Sequence, residues 1–145
     1  MRISQKIVSL AVSVPAVAVA VLGMAPQAQA DAGQSCLDSE SNCGVFYYNS
    51  GREGSFTAFR GSSVSNLSGY TFLTSGAGKG VAVKNNAASF YNASDQIATV
   101  FYSSGYGGAC DTFAKFAATD RLHYTYNENA SLGFGKSGVN CYKFS

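Results

Sequence analysis

The chain has 145 residues, 46% of them hydrophobic and 13% aromatic, with 16 Gly, no Trp and a formal net charge of +2. That charge comes from the start of the chain: without Arg2 and Lys6, eight basic residues face eight acidic ones. A near-neutral chain lacks the basic surface that offsets phosphates, which excludes a nucleic-acid partner.

Arg2 and Lys6 lead into an apolar run from Ile7 to Met24, and Ala28-Gln29-Ala30 follows with small residues at the two positions a signal peptidase reads. This pattern predicts a secretory signal peptide over residues 1–30, cut before Asp31. An uncleaved anchor is the competing reading; Pro15 within the run and the cleavage box behind it argue against that. No later segment is apolar enough to span a membrane, so the processed chain is expected to be secreted, extracellular and free of membrane. Its 115 residues from Asp31 suit one domain with one core.

Cys36, Cys43, Cys110 and Cys141 all fall in the exported part. An even count in an oxidising compartment reads as disulfides, with three possible pairings. Cys36–Cys43, closing a small loop, with Cys110–Cys141, clasping the last strand, is the favoured set. The spacings do not resemble zinc-binding pairs, and His123 is the single histidine.

In chain order, residues up to Asn42 read as loop. Val45–Asn49 and Ser55–Arg60 read as strands around a turn at Ser50–Gly54. Gly61–Gly69 is a Ser-, Gly- and Asn-rich connection with Val64 and Leu67 as apolar anchors. Tyr70–Thr74 and Val81–Lys84 are expected as short strands on either side of a glycine turn, with another at Ala88–Tyr91. Ile97–Ser103 is a strand entering a second turn with Gly105, Gly107 and Gly108. Thr112–Ala118 is ambiguous between strand and a single helical turn. Leu122–Tyr126 alternates Leu and Tyr against His and Thr, the clearest period-two stretch, and Ser131–Phe134 and Val139–Phe144 close the sheet. Short strands at this spacing predict an all-β sandwich.

The strands repeat. Phe46–Gly54 and Val100–Gly108 carry the same aromatic run and Ser/Gly turn, with Tyr47 54 positions ahead of Phe101. A second echo sets Asn85-Asn86-Ala87-Ala88-Ser89 42 positions ahead of Asn127-Glu128-Asn129-Ala130-Ser131. The domain at 31–145 is therefore two copies of one unit, about 44–92 and 97–144, the second 12 residues shorter between its marks.

This hairpin resembles the Greek-key motif of the βγ-crystallin superfamily: an aromatic, four residues, an aromatic, one residue, Gly, and later a structural serine. Phe101, Tyr106, Gly108 and Ser131 fit it. In the first unit Tyr47 and Gly54 fit, while Arg52 holds the second aromatic place, which touches the aromatic corner and not the hairpin. The resemblance implies a βγ-crystallin-like sandwich of two Greek keys. Cys36, Cys43, Tyr47–Ser50 and Asn85–Ser89 further resemble a secreted bacterial family typed by a microbial metalloproteinase inhibitor, across nearly all of Cys36–Phe144.

The superfamily often binds calcium through adjacent Asx residues and nearby hydroxyls. Here that points to Asn85, Asn86 and Ser89 in one copy and Glu128, Asn129 and Ser131 in the other. Calcium wants six or more oxygens, largely carboxylate, and Glu128 is the sole carboxylate in either set, so no cofactor is required and any calcium site is expected to be weak. The plainer reading, Asx and Ser groups holding loops by local hydrogen bonds, is preferred. Hydrolysis has no visible machinery. His123 has no nucleophile to serve, and no close carboxylate pair can be read. The tyrosines suggest a carbohydrate face, but packing explains their alternation more simply.

The resemblance implies a non-enzymatic, monomeric inhibitor of an extracellular peptidase, a metalloproteinase above all, presenting a loop from a rigid sandwich. The alternative is a non-inhibitory binding module, either a weak calcium-binding stress protein or a cell-surface-directed toxin-like protein. The extra length of the first unit places the inhibitory loop between Arg60 and Gly80, with Tyr70, Phe72 and Leu73 as candidate contacts.

Overall fold

Strand β1, Cys43–Asn49, is buried on both faces over its first four residues. Phe46 points into the main core, whereas Cys43 and Val45 belong to a second apolar cluster on the other side of the strand. The computed structural model describes Cys36 and residues 42–145. The expected leader and its cleavage site before Asp31 lie outside the described residues.

Among those residues the remaining strands are β2 (Glu53–Arg60), β3 (Ser89–Ala93), β4 (Ala98–Ser103), β5 (Gly107–Phe113), β6 (Ala118–Thr119), β7 (Ser131–Phe134) and β8 (Tyr142–Phe144). They form two four-stranded sheets, ordered β2-β1-β3-β6 and β7-β4-β5-β8. All pairings are antiparallel except β5 with β8.

The sheets stack on a core of Phe46, Phe59, Phe90, Val100, Phe113, Leu132 and their neighbours. Phe46, Phe90 and Phe113 form a chain of tilted rings with centroids 4.8 Å apart at each step. Each buried Phe contributes about 1.5–3 kcal/mol of transfer free energy. Gly44 sits where the sheets pack without room for a side chain, since a Cβ there would meet Phe90 of its own sheet and Leu132 and Phe134 of the other at 3.0–3.1 Å.

The two halves exchange edges. β6 comes from the second half and pairs with β3 of the first. The first half returns one residue: Val64 exchanges backbone bonds of 2.7 and 2.9 Å with Leu132 on β7. The halves are thus locked together, and their third strands are unequal in length. Beyond Val64, the same connection is pinned where the Leu67 N–H donates to the Ala130 carbonyl, just as the Leu122 N–H donates to Ala88.

The disulfides join Cys36 to Cys43 and Cys110 to Cys141. The second ties β8 and the segment before it over the outer face of the second sheet. There the Thr99 hydroxyl donates to the Lys136 carbonyl, and Gly138 lies against both sulfurs.

Three sequence expectations are corrected. Tyr70–Thr74 and Val81–Lys84 are not strands; they meet only at an isolated bridge between Thr71 and Ala82. Two bonds make that bridge, the Phe72 N–H to the Val81 carbonyl and the Val83 N–H to the Tyr70 carbonyl, and the ladder stops there because Leu73 and Thr74 donate instead to Phe56 at the outer edge of β2. Leu122–Tyr126, despite its alternation, is irregular. The buried Asp111 carboxylate takes the backbone N–H groups of His123, Tyr124 and Thr125 at 3.0–3.1 Å, and the Thr125 hydroxyl at 2.7 Å. A side chain thus replaces the strand partner that the period implied. Thr112–Ala118 is neither one strand nor a helical turn: β5 ends at Phe113 and β6 starts at Ala118.

Candidate functional site

The two hairpins are built alike. Gly51 and Gly105 sit at φ 76° and 77°, Arg52 and Tyr106 at 58° and 66°, and Gly54 and Gly108 at 78° and 79°. Such left-handed positions favour glycine, and the two non-glycine residues need local bonds to hold them there. Those bonds come from a serine in each half. Ser89 Oγ donates to the Asn49 carbonyl at 2.6 Å and accepts the Arg52 N–H at 3.0 Å. Ser131 Oγ donates to Ser103 at 2.7 Å and accepts from Tyr106 at 3.1 Å.

Arg52, standing where the motif has an aromatic, leaves the hairpin intact. Its Nε donates to Asp120 Oδ1 at 3.1 Å, while Tyr106 packs edge-on against Phe101 with centroids 6.0 Å apart.

The Asx loops face each other across the interface between halves. The Asn85 N–H donates to the Asn129 carbonyl at 2.8 Å, and the Asn127 N–H to the Ala87 carbonyl at 2.9 Å. Asn129, fully buried, receives the Ala87 N–H on Oδ1 at 3.0 Å and donates from Nδ2 to Val83 at 2.8 Å. The Asn86 amide donates to the Lys84 carbonyl at 3.0 Å. With the Ser89 and Ser131 hydroxyls also engaged, Asn85 and Glu128 keep exposed side chains outside these bonds. Among the described residues no three His, Cys, Asp or Glu side chains come together. This donor set does not fit a six-oxygen calcium shell.

The segment 60–80 is fastened along its length. The Ser55 hydroxyl donates to the Thr74 carbonyl at 2.5 Å, the Phe56 N–H donates to Thr74 Oγ1 at 2.8 Å, and the Ser55 N–H donates to Ala77 at 2.8 Å. At its other end Lys84 Nζ donates to Asn66 Oδ1 at 3.2 Å and to Ser104 Oγ at 3.0 Å.

The three apolar candidates separate here. Phe72 is 1% exposed and meets Tyr48 edge-on at 5.6 Å, so its ring is core and not a surface contact. Tyr70 is half-buried, edge-on to Phe59 at 4.9 Å, and Leu73 is half-buried. Tyr70 and Phe59 floor a cavity of about 330 Å³ whose walls include Arg60, Ser63, Ser65 and Asn66. Sequence reasoning missed Asp111, whose carboxylate holds the 123–125 backbone; one carboxylate inside the strand Gly-Gly-Ala-Cys-Asp-Thr-Phe gives no periodic signal.

The profile of peptidase inhibitor family I36 matches residues 25–113, which is more than half of the chain. The chain belongs to peptidase inhibitor family I36. Its members' label makes the function non-enzymatic: a peptidase inhibitor, whose partner is a peptidase. No curated protein matches the chain in sequence.

Among solved structures, a domain described under the evolution of the eye lens βγ-crystallin fold superposes with a TM-score of 0.53 at 9% identity, over 67% of this chain and 88% of that one. A βγ-crystallin from Ciona intestinalis gives 0.48 at 13% identity, over 63% and 98%. A βγ-crystallin domain from Clostridium beijerinckii gives 0.48 at 13%, over 63% and 94%. At these identities the first likeness is one of fold alone. The I36 chain is thus an all-β, βγ-crystallin-like sandwich of Greek-key sheets.

Proposed function

We propose that this I36 member is a secreted inhibitor of an extracellular metalloproteinase and that its contact surface lies in segment 60–80. The observation that carries this reading is the way the segment is held. Its backbone and side chains are bonded to β2, to β7 and to the second hairpin, yet Ser62, Ser63, Ser65, Asn66, Ala77 and Lys79 remain exposed. An exposed segment that is already ordered loses little conformational freedom when an enzyme cleft closes on it. Two disulfides support a destination outside the reducing cytosol. The metalloproteinase target rests on the resemblance of Cys36, Cys43, Tyr47–Ser50 and Asn85–Ser89 to the family's type inhibitor.

The test is a titration against a thermolysin-type enzyme beside a serine and a cysteine peptidase. Inhibition confined to the metalloenzyme is expected. Tyr70→Ala and Lys79→Glu are expected to weaken it by about tenfold or more, the scale of a buried interface anchor. Inhibition of the serine enzyme alone would overturn the target class. Equal potency in both variants, with unchanged circular dichroism, would move the contact surface off this segment.

A further inference from the structure

Three rings stand together on the surface away from segment 60–80. His123 lies nearly parallel to Tyr142, 24° between planes and 4.1 Å between centroids. Tyr124 meets His123 at 4.5 Å and Tyr142 at 6.4 Å, both edge-on. Tyr124 and Tyr142 are 47% and 42% exposed. Isolated exposed aromatics are ordinary, but a cluster held in a fixed arrangement is not.

The scaffold holds this one from both sides. Asp111 on β5 takes the backbone N–H groups of His123, Tyr124 and Thr125. The same Asp111 pairs with Tyr142 across the β5–β8 ladder, and Cys141 next to it is bonded to Cys110. Phe144, two residues on, stacks on the core ring Phe113 with centroids 4.6 Å apart.

We propose that His123, Tyr124 and Tyr142 form a glycan-binding platform, separate from the inhibitory segment, that takes pyranose rings of a polysaccharide. The choice of ligand follows from the polar edges. Among the described residues the Tyr124 and Tyr142 hydroxyls and the His123 ring nitrogens have no hydrogen-bond partner in the protein. A docked apolar side chain or an aliphatic protein surface would cover these groups unsatisfied, at a cost comparable to the stacking gained. A pyranose presents C–H groups on its face and hydroxyls around its rim. It therefore meets ring faces and free donors and acceptors together. Stacking on rings that are already positioned needs no further ordering of the site.

The test is affinity electrophoresis of the full secreted protein in native gels containing a soluble β-glucan, glycol chitin or an acidic polygalacturonan. Retardation by at least one of the three is expected. Tyr124→Ala and Tyr142→Ala are each expected to weaken it about tenfold. Tyr142→Phe, which keeps the ring and packing, retains most of the binding and guards against a fold effect. Inhibition of the peptidase should be unchanged in all three variants, which separates this proposal from the inhibitory reading. No retardation of the parent in any gel would overturn the platform. So would equal retardation of the Ala variants, or equal losses in Tyr142→Phe and Tyr142→Ala.

Discussion

Ser89 and Ser131 are each fully buried and each close a hairpin with one donated and one accepted bond. Replacing either by Ala removes the hydroxyl and leaves a carbonyl and an N–H to compensate, a cost of about 1–3 kcal/mol. Urea denaturation should give nearly equal losses for the two variants, because the geometry is repeated; a loss in one alone would mean the halves are held differently. The same hydroxyls, with the Asn129 amide, are unavailable to a cation. Calorimetry with calcium is therefore expected to show nothing tighter than about 10⁻⁴ to 10⁻³ M, the range of weak extracellular modules. Micromolar binding would require backbone carbonyls and Glu128 to supply the missing oxygens.

At the scale of elements, the turn at residues 75–80 is a cover for the outer edge of β2 and not a free loop. Gly78, at φ 86°, lies directly against the Tyr48 ring, where a Cβ would collide with it. Gly80, at φ 82°, has nothing within 4 Å of its Cβ position. Gly80→Ala should therefore cost only the conformational penalty, about 1–2 kcal/mol, while Gly78→Ala adds an overpacking cost of about 1–3 kcal/mol. Thermal melts of the pair measure the difference, and equal melting points would show that the turn yields to Tyr48 without resistance. Edge protection also explains why neither Tyr70–Thr74 nor Val81–Lys84 forms a full strand: a short irregular cover blocks pairing with another chain as well as a ladder does.

For the whole molecule, the two disulfides constrain very different lengths of chain, 31 residues for Cys110–Cys141 and 7 for Cys36–Cys43. On the loop-entropy model the first contributes about 3.5 kcal/mol and the second about 2.5 kcal/mol. Paired Cys→Ser variants, compared by urea denaturation, should rank in that order. The loss of Cys110–Cys141 should also loosen β8, exposing Phe113 and raising protease sensitivity near Tyr142. A larger effect from the short loop would mean that packing around Cys36, and not chain entropy, dominates.

What the sequence determined by itself was whatever is local or repeated. Aromatic runs broken by Ser and Gly carry the hairpins, since the left-handed turn positions leave a direct mark in composition. Two copies, 54 residues apart at the hairpins and 42 at the Asx segments, carry the sandwich, because duplicated strands must find duplicated partners. The late serines carry the hairpin closure. Tertiary structure alone decided which half lends an edge to which sheet, because Val64 reads as an anchor in a connection and Ala118 as the end of an ambiguous stretch until their partners on β7 and β3 are known. It also decided the fate of Leu122–Tyr126, whose alternation is overruled by one buried carboxylate 11 positions before it. Phe72 entered the core and Tyr142 stayed at the surface for the same reason. Both are large aromatics in short stretches, and whether such a ring is buried depends on the face its neighbours leave open, which no window of sequence records.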